Sequence, residues 1–320
     1  MMNCPAPEKN SFYDQEPLEV RERDKVREVL RDFLKRSMST DDLQFTRDTN
    51  QHTELYRYVS QKVLDIIEAA GDDPKIAHKA SITGCDLAKI IYGHTDHEHQ
   101  CYIALYTACI VYIDDLGNRH LEALANFSRR FVAGEKQPHP ALDVLSDLLK
   151  ESYDLWPDVG ADAIVSGTLE AVSAMHVECT TGNMRIAPQA TWWPNYFRNR
   201  TGICPPYAHF NFMKGWRSAP DSYLQLLPYL EFYIVAANDV LSFYKEQLEG
   251  ETKNYIHIRA TTDQITAIDV LRSLADEVVA CAERTSVLIG QEDPEMMAIW
   301  RSFEQVNAFT TGPGTGNDNH

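Results

Sequence analysis

Residues 233–246 read Tyr233-Ile234-Val235-Ala236-Ala237-Asn238-Asp239-Val240-Leu241-Ser242-Phe243-Tyr244-Lys245-Glu246. The run is apolar enough for a core helix, yet Asn238, Ser242 and Glu246 recur at i, i+4 and i+8. On a helix those three side chains share one stripe. Asn and Ser are mediocre helix formers because their side chains compete for backbone hydrogen bonds, so an apolar helix needs a reason to carry them. An amide carbonyl, a hydroxyl and a carboxylate in a row supply half of an octahedral Mg²⁺ shell. Lys245, beside Glu246, can hold an anion that completes it. The plainer alternative is the polar face of an ordinary amphipathic helix.

Apolar residues at three- and four-residue spacing recur on both sides of this stretch. They predict helices over 17–38, 52–70, 75–92, 121–133, 141–155, 161–179, 193–201, 207–218, 222–248, 262–289 and 294–309. Thr95 with Glu98 has the form of a capping box. It opens a further helix whose stripe Tyr102, Leu105, Tyr106, Cys109, Ile113 runs to Asp114. Strand-like alternation is nearly absent. The expectation is an all-α, single-domain helical bundle over 17–309, with flexible tails at 1–16 and 310–320.

The chain has 320 residues, with 30 Lys+Arg against 47 Asp+Glu, a net charge of −17. Such a chain repels phosphate backbones, which argues against nucleic acid as a partner. No apolar run approaches the roughly 20 residues of a membrane span, and the polar start resembles no targeting peptide. Seven cysteines without a C-x-x-C pair read as free thiols of a reducing compartment, and a cytoplasmic location is expected.

Two more stretches carry chemistry. Val111-Tyr112-Ile113-Asp114-Asp115-Leu116-Gly117-Asn118 ends an apolar helix in adjacent carboxylates, where the helix dipole is already negative. Either cations compensate there or the pair is a solvated acidic turn. Trp192-Trp193-Pro194-Asn195-Tyr196-Phe197-Arg198-Asn199-Arg200-Thr201-Gly202 offers two guanidinium forks for phosphate, and Gly202 is able to break the helix. Taken together, the three stretches suit a metal-complexed diphosphate held at the mouth of an apolar cavity. His94, His97 and His99 in H-T-D-H-E-H invite a zinc reading, but structural zinc wants further ligands and usually Cys, so polar residues in the exposed first turn of the aspartate-motif helix are the favoured explanation.

These motifs resemble those of a class I terpene cyclase and are most similar to the fungal trichodiene synthase family over roughly residues 50–310. Asn238 to Glu246 matches the magnesium signature (N/D)D(L/I/V)x(S/T)xxxE, and Asp114-Asp115 matches the aspartate-rich motif. Arg198 falls at the diphosphate-sensing arginine, with Thr201 and Gly202 at the helix break that follows it. The resemblance implies a bundle of the isoprenoid-synthase type with a central apolar cavity. It also implies farnesyl diphosphate as substrate and three Mg²⁺ ions bound with its diphosphate. Asp114, Asn238, Ser242 and Glu246 would then be metal ligands, and Arg198 and Lys245 diphosphate contacts. The product would be a cyclised sesquiterpene hydrocarbon or alcohol. Tyr106, two turns before Asp114, is expected to face the cation, and a carbonyl near Gly202 is a candidate base. A homodimer is allowed. Asn118 stands where an acid is usual, and the usual C-terminal Arg-Tyr pair is missing, with Arg301 as a partial substitute. The alternatives are a non-cyclising prenyl diphosphate enzyme (hydrolysis or prenyl transfer) and a non-catalytic isoprenoid-binding accessory protein.

Overall fold

Tyr102, Ile103, Ala104, Leu105, Tyr106, Ala108, Cys109 and Ile110 are all buried, so the helix they form is apolar on every side. Such a helix has no solvent face and must be wrapped by others. The computed structural model describes residues 20–37, 53–116, 119–217 and 221–305; the side chains of residues 20–21 and 115–116 fall outside that description. In chain order the helices are α1 (Val20–Ser37), α2 (Glu54–Ala70), α3 (Lys75–Ile90), α4 (His97–Leu116), α5 (Leu121–Val132), α6 (Pro140–Leu155) and α7 (Asp158–Thr181). There follow α8 (Trp193–Thr201), α9 (Cys204–His209), α10 (Asp221–Leu224), α11 (Leu227–Leu248), α12 (Tyr255–Asp263), α13 (Ala267–Ile289) and α14 (Pro294–Glu304). No strand occurs among the described residues.

The all-round apolar helix is α4, enclosed by α2, α3 and α6. Its closest neighbour is α3, because Gly84 lets the two backbones touch. A Cβ at Gly84 would overlap the carbonyl oxygen of Ala104. On the other side α11 packs on α1, α9 and α13, while α7 bridges α5, α6, α8 and α9.

Local signals set most boundaries. Thr53, Asn254, Thr266 and Asp293 cap α2, α12, α13 and α14 by accepting a backbone N–H three residues on. At α4 the expected capping box does not form. Asp96 accepts the His99 N–H at 3.0 Å, while the Thr95 hydroxyl turns back to the Tyr92 carbonyl at 2.7 Å. The helix expected over 207–218 is instead the short α9, started by Pro205 and Pro206 at positions where a missing N–H costs nothing. A separate helix, α12, precedes α13. Gln264 in the left-handed region (φ 56°) divides them.

The span Asp221–Leu248 is long and apolar enough to cross a membrane by length and composition, which the sequence reading did not anticipate. More than half of its most apolar window is buried in the bundle. The six described cysteines other than Cys4 are free thiols, as expected. The tails assigned to 1–16 and 310–320 lie outside the described residues.

Gly84→Ala is expected to cost about 1–3 kcal/mol by forcing α3 and α4 apart. Urea unfolding checks this, since the midpoint should fall without a change in slope.

Candidate active site

The helices enclose a cavity of about 600 Å³. From α4 it receives Thr107, Ile110, Val111 and Asp114; from α11, Ile234, Val235, Asn238, Asp239 and Glu246. On both helices the lining turns from apolar to oxygen-bearing toward one end. Leu87, Met175 and Phe197 add apolar surface to the lining. Glu178, Glu251, Lys253 and Asn254 add to the polar mouth.

Five residues expected at the site therefore meet in one lining: Asp114, Arg198, Gly202, Asn238 and Glu246. Ser242 lies on the α11 stripe between Asn238 and Glu246. Its buried hydroxyl oxygen has no hydrogen-bond partner. Glu246 accepts from the Asn254 amide at 2.8 Å. Asn254 is oriented in turn by His257, whose backbone N–H and Nδ1 meet its Oδ1 at 3.1 and 2.7 Å.

Four expected residues sit elsewhere. Tyr106 does not face the cavity; it is fully buried, with its hydroxyl 2.6 Å from that of Thr168. The reason is helical phase. At about 100° per residue, eight residues before Asp114 is about 80° off its face, whereas seven residues is about 20° off. Thr107 accordingly takes the place expected for Tyr106. Lys245 is exposed and lies 3.8 Å from Glu249, outside the lining. Arg200 stacks on Tyr196 at 3.7 Å and faces Glu170, away from the cavity. Arg301 is exposed on α14 and is also absent from the lining. Asn118 lies outside the described residues.

The helix break after Arg198 is built from Gly202 and Ile203. A Cβ at Gly202 would overlap Val235 of α11. Ile203 takes φ 53°, rare and strained for a β-branched residue. This lets α8 end against α11 and holds Arg198 over the polar end of the cavity. Burial works against the Arg198 charge, but the Asp239 carboxylate outweighs it and the pKa shifts upward.

The sequence reading missed Glu178, Asp239, Glu251 and Lys253. Glu178 on α7 has its pKa raised by burial and then by Asp114. Glu251 is raised from 4.5 to about 7, by burial first and then by Glu246, Glu178, Glu249 and Asp114. Although Glu251 keeps an open side, its carboxyl faces this crowd. Among the described residues, Arg198 and Lys253 are the lysine and arginine residues of the lining. Only the acid count and the proximity of Glu251 to Glu246 in sequence hinted at this.

Two other clusters are explained by structure alone. His94 and His99 bond separately to the carbonyls of Asn211 and Leu155, so they share no zinc. Asp72, His120 and His139 bring ligand-type atoms within 4.8 Å of one another. The Nδ1 of His139, however, accepts the Ala141 N–H at 3.2 Å as the cap of α6. That puts the proton of the neutral ring on Nε2, facing Asp72 at 3.9 Å, where a metal would need a bare nitrogen.

The match to a family model settles the kinship. Residues 33–311 match the model described as trichodiene synthase (TRI5). The chain belongs to the trichodiene synthase family. It is an enzyme of the terpene synthase type, a class I terpene cyclase. It is 32% identical to alpha-cuprenene synthase COP6 of Coprinopsis cinerea over 72% of this chain and 71% of that protein. It is 28% identical to longiborneol synthase CLM1 of Gibberella zeae over 80% of this chain and 79% of that one. The fold is also that of the linalool/nerolidol synthase of Streptomyces clavuligerus (TM-score 0.59, 15% identity, 81% of this chain and 94% of that one).

The raised pKa of Glu251 has a definite sign. The folded protein keeps this proton in a window where the unfolded chain has lost it. Stability from this group is therefore full below 4.5 and is lost as pH rises through about 7. In EDTA the melting temperature should fall over that window, and Glu251→Gln should flatten part of the fall. Thermal scans across pH check it.

Proposed function

We propose that this terpene cyclase ionises farnesyl diphosphate with Mg²⁺ at the cavity mouth and closes the resulting cation into a sesquiterpene hydrocarbon or alcohol. The observation carrying this is the division of one cavity into an oxygen-rich mouth and an apolar depth. The donor set fits a hard cation: amide, hydroxyl and carboxylate oxygens, with the Ser242 oxygen buried and unpartnered. In this reading Asn238, Ser242 and Glu246 hold metal from α11 and Asp114 holds it from α4. Three ions is the number that the family resemblance implies. Bound magnesium supplies Lewis-acid stabilisation of the charge that develops on the departing diphosphate.

The chain's own residues do the rest. Arg198 and Lys253 give the diphosphate its cations from the lining. Lys245 is a third, because its exposed pairing with Glu249 is weak and its stem is flexible. The apolar depth excludes water, so the cation survives long enough to cyclise. The rings of Phe197 and Tyr207 line the cavity, and an aromatic face attracts a desolvated cation by about 2 kcal/mol. Diphosphate, or a backbone carbonyl at the Gly202 break, then takes the final proton.

Incubation with farnesyl diphosphate and Mg²⁺, followed by gas chromatography with mass detection, should give a cyclic product. An acyclic alcohol alone, or no product, overturns the reading. Pyrophosphate should bind much more tightly with Mg²⁺ than in EDTA, as read by calorimetry. Asp114→Asn and Glu246→Gln should each cut turnover about ten- to a hundredfold with helical circular dichroism unchanged. Lys253→Ala should raise KM for the diphosphate about tenfold, the effect of losing one charge-assisted contact.

A further inference from the structure

Arg198 does not wait in open space. Its Nε donates to Asp239 Oδ2 at 2.9 Å, and its Nη2 lies 2.8 Å from Asp239 Oδ1, a two-pronged pairing. The same Nη2 reaches Asn238 Oδ1 at 3.5 Å. Both partners belong to α11 and are neighbours in sequence. The pair is largely removed from water, with side chains 21% and 11% exposed. One guanidinium thus covers the amide oxygen that the proposed metal stripe begins with, and it does so while tied to a carboxylate that is not itself on the stripe.

We propose that Asp239 is a positioning residue that holds Arg198 across Asn238 in the metal-free enzyme, so that uncovering the Asn238 oxygen and presenting the guanidinium to diphosphate are a single event. This rests on the function proposed above. A guanidinium cannot lose its proton, so Nη2 beside the Asn238 oxygen sets a fixed positive charge against any divalent cation that would bind there. Metal binding at Asn238 therefore favours withdrawal of Nη2. The Nε bond to Asp239 is the pivot that remains, and the freed edge of the fork turns into the cavity. Until then the Nε and Nη2 edge of Arg198 is held by Asp239, and an anion arriving alone must compete with that carboxylate for the guanidinium charge. Diphosphate binding without metal is thereby weakened by competition with Asp239, and metal without diphosphate is opposed by Arg198.

Two binding measurements test this without reading turnover. The first is pyrophosphate affinity in EDTA. Asp239→Asn should bind about tenfold more tightly than the native enzyme, the size of a typical coupling between sites. In the Arg198→Gln background the same substitution should give no gain. An equal gain in both backgrounds reports charge acting through space, and no gain in either shows that Asp239 restrains nothing; both overturn the proposal. The second leaves Asp239 intact, in case its replacement does not fold. Mn²⁺ alone, followed by electron paramagnetic resonance, should bind about tenfold more tightly to Arg198→Lys, which keeps the charge but lacks the fork. Unchanged Mn²⁺ affinity in Arg198→Lys overturns the proposal. Glu246→Gln is the control that keeps the two readings apart: if it leaves Mn²⁺ binding unaltered, the metal stripe itself has been misassigned.

Discussion

Negative charge converges on one cavity mouth faster than the fold supplies its opposite. Asp114, Glu178, Glu246 and Glu251 reach it from α4, α7, α11 and the segment after α11. The cationic side chains in the same lining are Arg198, already spent on Asp239, and Lys253. The C-terminal end of α4 adds the negative pole of its dipole beside Asp114. Folding alone gains nothing from such an arrangement, as the upward shifts of Glu178 and Glu251 record. In the function proposed above, a hard cation and an anion carrying its own counter-charge would complete it. The latch between Arg198 and Asp239 follows from the same shortage: a buried guanidinium amid so many acids finds a partner before any ligand arrives.

Two glycines make that convergence sterically possible. At Gly84 the α3 and α4 backbones close to contact, which fixes the rotation of α4 and hence the direction of Asp114. At Gly202 the chain passes against Val235 of α11, and the strained Ile203 that follows redirects it into α9. Without that close approach Arg198 would stand off from α11, and neither its pairing with Asp239 nor its reach to Asn238 would exist. Strain of this kind persists where surrounding packing over-determines it. Ile203 and Val235 both line the cavity, with Ile203 buried behind the break.

The helical class and the α11 stripe were legible because both depend on spacing along a single helix, which a string displays directly. The eventual capping residue of α4 was off by one, since Thr95 and Asp96 offer the same chemistry and only backbone geometry chooses between them. Tyr106 shows a subtler limit. Two turns is not quite eight residues, so its ring points into the wall and Thr107 faces inward. Lys245 carries the motif's charge but is drawn outward by Glu249. Glu178 and Lys253 were missed for another reason. Their relation to the site is a tertiary distance, and nothing in their neighbouring residues encodes it. Asp239 was in plain view beside Asn238, yet one residue along a helix is about 100° around it. Whether it served metal or arginine depended on where α8 would land.

The displaced Tyr106 still matters to the chemistry through what it supports. Its ring meets Tyr207 edge-on at 6.0 Å, and Phe210 and Tyr102 pack against it in turn. Tyr207 lines the cavity with its hydroxyl 3.3 Å from that of Thr107. Burial pushes the Tyr207 hydroxyl up to about 12, so it remains neutral. The apolar end of the cavity is therefore a firm wall without ionised groups, while every carboxylate of the lining sits toward the other end. Along α4 this change from Thr107 to Asp114 takes about 10 Å of helix, and along α11 the change from Ile234 to Glu246 takes about 18 Å. Both gradients run along the cavity-facing side of their helix, and both end at the same mouth. In the function proposed above, a cation generated between them would meet neutral rings on one side and, on the other, the anion it had just left. Its lifetime and shape would then be governed by packing at the closed end, with charge confined to the mouth where bond breaking needs it.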